Sequence, residues 1–198
     1  HLIPGKTYFF FSHTIKKQSY NRDLLRALVK KRIKMVDYEV LTNKDGKRVI
    51  AFGRFAGMVG AHNALYTWFK RHDMGGLPRM KDFKEYNEAR AHYRQLSFPE
   101  LRIVLTGGGR VAGGAAEVLE DMGYTKLSPE DYHYYQDRTK VYTQLNCQDY
   151  VKRKKDGGFD KEEFFTQPEL YESKVSPFLK NSDIFINGIY WNNRAPAF

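Results

Sequence analysis

One cysteine, Cys147, stands alone among 198 residues. An internal disulfide framework is therefore excluded, and a reducing compartment, the cytoplasm by default, is expected. No apolar run approaches the roughly 20 residues of a membrane-spanning helix, and the N-terminus has no signal-peptide pattern. No Gly-Lys-Ser/Thr follows the glycines, so phosphate-loop nucleotide hydrolysis is set aside. No G-x-S-x-G elbow exists for a serine hydrolase, and the six histidines show no metal-ligand spacing, so no metal is expected. The chain opens HLIPGKTYFFF without an initiator Met and stops at IYWNNRAPAF, which reads as a fragment of a larger protein.

Charge is abundant but dispersed. The net charge of +10 would suit nucleic acid if the basic residues clustered with aromatic stacking partners. Lys30, Lys31, Arg32 and Lys34 instead close a helix, where cations oppose the helix dipole, and Lys152 to Lys155 sit in a polar loop. Solvated helix ends or local positive potential for an anionic small ligand are the expected uses, with no nucleic-acid partner.

The pattern along the chain is α/β. Residues 7–12 read as a buried strand, Asn21 caps a helix with Leu24, Leu25, Leu28 and Val29 on one face, and residues 35–41 and 48–52 read as two further strands. From Gly53, small residues recur at helical spacing, and the cost of about 1 kcal/mol for each helical glycine calls for a close neighbour. Close packing between domains is the expected reason. A loop at 72–78 and a polar helix at 82–96 lead to the strand LRIVLT. The domains expected are a partial substrate domain at 1–72, a connecting loop and helix at 73–98, and a nucleotide-binding domain at 99–198. After the second strand-to-helix turn come an insert at 128–140, a strand at 141–145, an acidic and aromatic helical region near 160–180, and a strand at 183–189. Alternation of this kind predicts parallel sheets covered by helices.

Two stretches carry candidate chemistry. Gly107, Gly108, Gly109, Arg110, Val111 and Ala112 fit G-x-G-x-x-A between a strand and a helix. The first glycine permits a tight turn, the second lets backbone approach a pyrophosphate, and helix-start amides donate to it. A plain glycine-rich turn is the alternative. Position 127, where a ribose-binding acid is expected, is Leu; the insert shifts that position to the end of 141–145, where Asn146, Gln148 and Asp149 stand. Asp149 at the ribose would favour NAD, and Arg110 or the basic loop would favour NADP. The second stretch is FFFSHTIKKQ, which sets His13 at a strand end with Lys16 and Gln18 beyond it. Histidine titrates near neutrality and can pass protons to a carbonyl or imine, and lysine can hold a carboxylate. A structural histidine, and a buried ion pair of Glu39 with Arg48, are the plainer alternatives.

HLIPGKTYFFFSHTIKKQ, MVDYEVLTNKDGKRVIAFGRFAG, LTGGGRVAGGA and DIFINGIYW, in that order over nearly the whole chain, resemble the saccharopine dehydrogenase family. Its lysine-2-oxoglutarate reductase branch and its lysine-forming members are nearest in character, and alanine dehydrogenase shares only the glycine turn. The resemblance implies two Rossmann-like domains, both incomplete here, and an NAD- or NADP-dependent oxidoreductase of lysine metabolism that interconverts saccharopine with lysine and 2-oxoglutarate. It implies catalytic roles for His13 as acid/base and Glu39 as charge-tuning group. Lys16, Gln18, Arg48 and Phe52 would bind substrate; Gly107 to Ala112 with Asp149, Gly188, Ile189 and Tyr190 would bind coenzyme. The family's catalytic lysine would lie upstream of His1. Retained alternatives are an alanine- or opine-type amino-acid dehydrogenase and a non-catalytic NAD(P)-binding protein.

Overall fold

The structure is a computed structural model that describes residues 1–135, 137, 139–189 and 193–198. It is α/β with parallel sheets and divides into two compact units, His1–Phe52 and Gly53–Phe198.

In the first unit β1 (Thr7–Phe10) pairs in parallel with β2 (Lys34–Asp37), joined through α1 (Arg22–Lys30). Parallel neighbours need such a crossover, and the amphipathic α1 supplies it by burying Leu28. The strand expected at 35–41 stops at Asp37, because the Asp37 carboxylate accepts the Glu39 amide at 2.9 Å and turns the chain. The strand expected at 48–52 is absent; only a bridge joins Thr42 to Arg48. The Asn43 side chain accepts the amides of Asp45 and Lys47, which makes a local turn, and Val49 is exposed with no flat surface to pack on.

The second unit begins with α2 (Gly53–Arg71) and α3 (Tyr86–Tyr93), followed by β3 (Arg102–Thr106), α4 (Arg110–Asp121), β4 (Thr125–Leu127), α5 (Pro129–Tyr134) and β5 (Val141–Leu145). A short turn α6 (Cys147–Tyr150) leads into the hairpin of β6 (Val151–Arg153) and β7 (Tyr171–Ser173), which brackets α7 (Lys161–Thr166). Then α8 (Ser176–Lys180) precedes β8 (Ile184–Asn187). The main sheet has the order β4-β5-β3-β8, all parallel. β3 is central and reads as an unbroken aliphatic run because both its faces are covered: Ile103, Val104 and Leu105 have no exposed surface. β4 escaped the sequence reading because three residues, TKL, at a sheet edge carry no periodicity.

The small residues of α2 do need a close neighbour, and that neighbour is α4 within the same unit, so the expected boundary at 72–98 falls inside the second unit. A Cβ on Gly57 would overlap the Val111 carbonyl, and one on Gly114 would overlap the Arg54 carbonyl. The two helices thus meet backbone to backbone at reciprocal glycines. Arg54 adds a bidentate pair to Glu117 at 2.6 and 2.9 Å, worth at most about 1 kcal/mol at such exposure. On the far side of α2 the fully buried His62 accepts from Tyr93 at Nδ1 (2.7 Å) and donates to the Pro78 carbonyl from Nε2 (2.8 Å). Burial holds its pKa below the ordinary histidine value, so the neutral ring is the packed form.

Gly114→Ala gains helix propensity of about 1 kcal/mol yet is expected to destabilise the protein by about 1–3 kcal/mol net, because the methyl must push the facing backbones apart. Gly113→Ala, one residue away in open space, is expected to be neutral or stabilising. Urea unfolding of the two variants checks the contrast; equal midpoints would show that the helix contact yields.

Candidate functional site

The parallel strands end together, and their ends build a cavity. β3 runs into Gly107, whose φ of +107° only glycine adopts readily; its amide donates to Leu145 O of β5 at 2.8 Å. A Cβ there would press on Gly188 O at 2.9 Å, and Gly188 is itself tied to the Thr106 carbonyl by its amide at 3.0 Å. A Cβ on Gly108 would lie 2.6 Å from Asn146 Oδ1. Gly109 differs, for nothing lies within 4 Å of its Cβ position and its φ of −95° suits any residue. Its bareness serves no contact of the protein and leaves room for something else. α4 starts at the next residue without a side-chain cap, so its first-turn amides and dipole face the same space.

That space is a cavity of about 670 Å³ bounded by Gly107–Gly109, Asn146–Gln148 and Gly188–Ile189, and walled by Tyr150, Phe159, Phe164 and Phe165. An anionic, flat-ringed ligand is what such a lining suits: amide donors on one side, aromatic faces on the other. The residues present therefore fit a dinucleotide. Asp149 stands just past β5, outside this lining. Its Oδ2 accepts the Asn146 amide at 2.8 Å as a cap of α6, and it lines a separate cavity of about 470 Å³ with Lys126, Ser128, Gln144 and Gln148. Tyr190 lies outside the described residues. The basic loop is spent on its own module: Lys152 pairs with Glu172, Arg153 with Glu163 and Asp156, and Lys154 donates to the Glu169 carbonyl.

The first unit gathers the other set. His13, in the left-handed region at φ 56°, follows the end of β1, and Glu39 follows the end of β2. His13 Nδ1 lies 3.0 Å from Glu39 Oε2 and 3.0 Å from Lys16 Nζ, and Lys16 Nζ lies 3.1 Å from Glu39 Oε1. The ring nitrogen thus has a carboxylate to donate to and an ammonium to accept from. Glu39 is only 4% exposed while the His13 side chain is 42% exposed, so the acid is screened and the ring is reachable. Burial raises the Glu39 pKa, but hydrogen bonds from Lys16 and His13 outweigh it and hold the carboxyl below the 4.5 of a free glutamate.

Phe11 organises the remainder. His13 stands edge-on to it at 4.8 Å, Phe52 packs at 5.3 Å and the Arg48 guanidinium lies over it at 5.5 Å. Gln18 is exposed and accepts from Tyr20, apart from the triad. Sequence reasoning missed Asp37, whose carboxylate accepts from the Ser12 amide, the Ser12 hydroxyl and the Glu39 amide, fixing the ends of both strands at once. An Asp closing an apolar strand beside a second acid was the available signal. Among the described residues no group of three or more His, Cys, Asp or Glu could hold a metal, and no helix is long and apolar enough to cross a membrane.

Because the Glu39 carboxyl has a lower pKa folded than unfolded, its stabilisation is complete above about pH 4.5 and is lost as pH falls through the folded value. Glu39→Gln is expected to lower the stability of residues 1–52 at neutral pH and to flatten the acid dependence. Amide hydrogen exchange of that segment across the acid range checks it; an undiminished acid slope in the variant would remove Glu39 as its source.

No family model matches the chain. Among curated proteins it is similar to the mitochondrial alpha-aminoadipic semialdehyde synthase of Mus musculus, 32% identical over 98% of this chain and 24% of the relative. The Arabidopsis thaliana alpha-aminoadipic semialdehyde synthase is 28% identical over 99% of the chain and 22% of the relative. Saccharopine dehydrogenase (NAD(+), L-lysine-forming) of Candida glabrata is 29% identical over 57% of the chain and 33% of the relative. The chain spans about a quarter of the length of the semialdehyde synthases it matches.

Proposed function

This chain belongs to the saccharopine dehydrogenase family, and from that premise we propose that it is the portion of an oxidoreductase of lysine metabolism that binds a nicotinamide dinucleotide and handles the proton of saccharopine chemistry. The observation that carries the reading is the glycine turn with Gly109 bare of any protein neighbour beneath an uncapped helix start. Gly107 to Val111 would hold the pyrophosphate through backbone amides and the dipole of α4, with Ala112 keeping the helix close to the sheet. Gly188 and Ile189 would border the ring-bearing end. When bound, the dinucleotide supplies hydride chemistry.

The substrate side rests on the triad. The reaction in view joins the lysine ε-amine to the keto carbon of 2-oxoglutarate with loss of water, and the resulting imine is reduced to saccharopine; the reverse consumes water. Each direction needs a proton delivered to and removed from nitrogen or oxygen. His13 is the group suited to it, since its Nδ1 lies 3.0 Å from both a carboxylate that can accept from it and an ammonium that can donate to it, while the ring is exposed. Glu39 would steady the charged ring. Lys16, Arg48 and Phe52 would meet the carboxylates and aliphatic stem of the substrate. A reducing compartment suits the single cysteine, whether cytoplasm or, as the names of the mammalian relatives have it, mitochondrion.

A pair of measurements tests the reading. Gly109→Val should cost only about 1 kcal/mol, the preference of a helix cap for glycine over valine, because its backbone is extended and its space open, yet weaken NADH and NADPH binding by about tenfold or more. In the full-length protein His13→Ala should reduce lysine- and 2-oxoglutarate-dependent oxidation of NAD(P)H by about 10²-fold or more, with no activity on pyruvate plus ammonia in either form. Unweakened coenzyme binding in the first variant, or undiminished turnover in the second, would overturn the corresponding assignment.

A further inference from the structure

We propose that Asp37 is a positioning residue for the reaction: together with Ser12 it clamps the His13 backbone in the left-handed conformation that brings the imidazole to Glu39. The role rests on His13 serving as the proton-handling group, and it assigns to that group two side chains that act only through it.

His13 sits at φ 56° and ψ 7°. A residue other than glycine enters that region at a cost of about 1–3 kcal/mol and stays there only where its surroundings over-determine it. Side chains supply the restraint. The Ser12 amide donates to Asp37 Oδ1 at 3.3 Å, and the Ser12 hydroxyl donates to Asp37 Oδ2. The same hydroxyl oxygen accepts from the Thr14 amide at 3.1 Å and from the Thr14 hydroxyl at 2.8 Å. His13's own amide donates to Glu39 Oε2 at 3.0 Å. Three successive amides thus end on side chains, and Asp37 holds the residue before His13 directly and the residue after it through one hydroxyl.

The same carboxylate also aims the partner of the ring, because Asp37 Oδ1 accepts the Glu39 amide at 2.9 Å. Both sides of the 3.0 Å contact between His13 Nδ1 and Glu39 Oε2 therefore take their place from Asp37. Ser12 is only 3% exposed, whereas the His13 side chain is 42% exposed, so the clamp is shielded from water beneath a reachable ring. A reacting group displaced by about 1 Å loses up to about 10²-fold in rate, which is the scale on which such a clamp matters.

Steady-state turnover of lysine and 2-oxoglutarate by the full-length protein tests the role, on Ser12→Ala, Asp37→Ala and Asp37→Asn, each with His13 present and in the His13→Ala background. Ser12→Ala and Asp37→Ala should lower kcat by about fivefold or more and leave the KM for NAD(P)H within about twofold. Asp37→Asn should restore most of the loss, since its oxygen can accept both amides and its amide can donate to the Ser12 hydroxyl. With His13→Ala already in place, the same substitutions should change the residual turnover by less than about twofold, whereas damage of a merely structural kind would recur in full. Amide exchange of residues 1–52 reports whether Asp37→Ala keeps its fold, and Ser12→Ala decides the matter where it does not. The role is overturned by an undiminished kcat in Ser12→Ala, by equal losses with and without His13, or by Asp37→Asn as slow as Asp37→Ala. Absence of turnover in wild type, or undiminished turnover in His13→Ala, removes the functional reading and this role with it; a slow His13→Ala beside fast Ser12 and Asp37 variants removes the clamp alone.

Discussion

The backbone contact of α2 with α4 is the constraint on which the second unit depends. At Gly57 and Gly114 each helix accepts a carbonyl of the other where a side chain would stand. The contact sits within the first turns of α4, so it also fixes where that helix begins. Since Gly109 caps α4 and Gly107 ends the approach from β3, the placement of the first-turn amides of α4 follows from helix packing rather than from the turn alone. A helix start that drifted by even an ångström would aim its amides elsewhere. The helical glycines of α2 and α4 each cost about 1 kcal/mol of backbone freedom, and the fixed helix start is what offsets it.

A second constraint comes from parallel pairing. β3, β5 and β8 are in register side by side, so their carboxyl ends arrive at one edge and their loops must share it. The loops interlock through main-chain bonds from Gly107 to Leu145 and from Gly188 to Thr106, and the Gln144 side-chain amide donates to the Gly107 carbonyl. Glycine recurs at 107, 108 and 188 because three strand ends crowd together, and at 109 for a reason the protein's own packing does not supply. The distinction separates glycines that close packing requires from one that it does not, which sequence spacing treats as equivalent.

What could be read in advance follows the same physics. The LRIVLT run, the glycine turn, the Ala-rich helix and the shift of the second strand to 141–145 were legible because burial on both faces and a 3.6-residue period leave strong marks. The grouping of His13, Lys16 and Glu39 was legible only through resemblance, since His13 and Glu39, 26 residues apart, are joined by strand pairing that no local pattern records. RVIAF misled, because β-branched composition specifies a strand only where a neighbour offers a ladder, and a side-chain-bonded turn at Asn43 took its place. The extent of the first unit misled as well: small residues announced a close contact but could not say with which helix.

Asp37 and Glu39 show how neighbouring acids divide the work. Both carboxyls are held below their ordinary pKa, against the upward push of burial. Asp37 spends its oxygens on two amides and a hydroxyl, groups that do not titrate, and so fixes geometry over the whole range in which it is ionised. Glu39 spends its oxygens on an imidazole and an ammonium, and so ties the ends of the strands to a charged side-chain cluster. One residue separates them in sequence, and Tyr38 between them turns toward Phe11 at 5.8 Å. The Asp37 turn that ends β2 early is therefore what presents Glu39 to His13. A strand running on to residue 41 would have alternated Asp37 and Glu39 onto one face in extended backbone, and the amide of Glu39 could not have reached back to the carboxylate that now aims it.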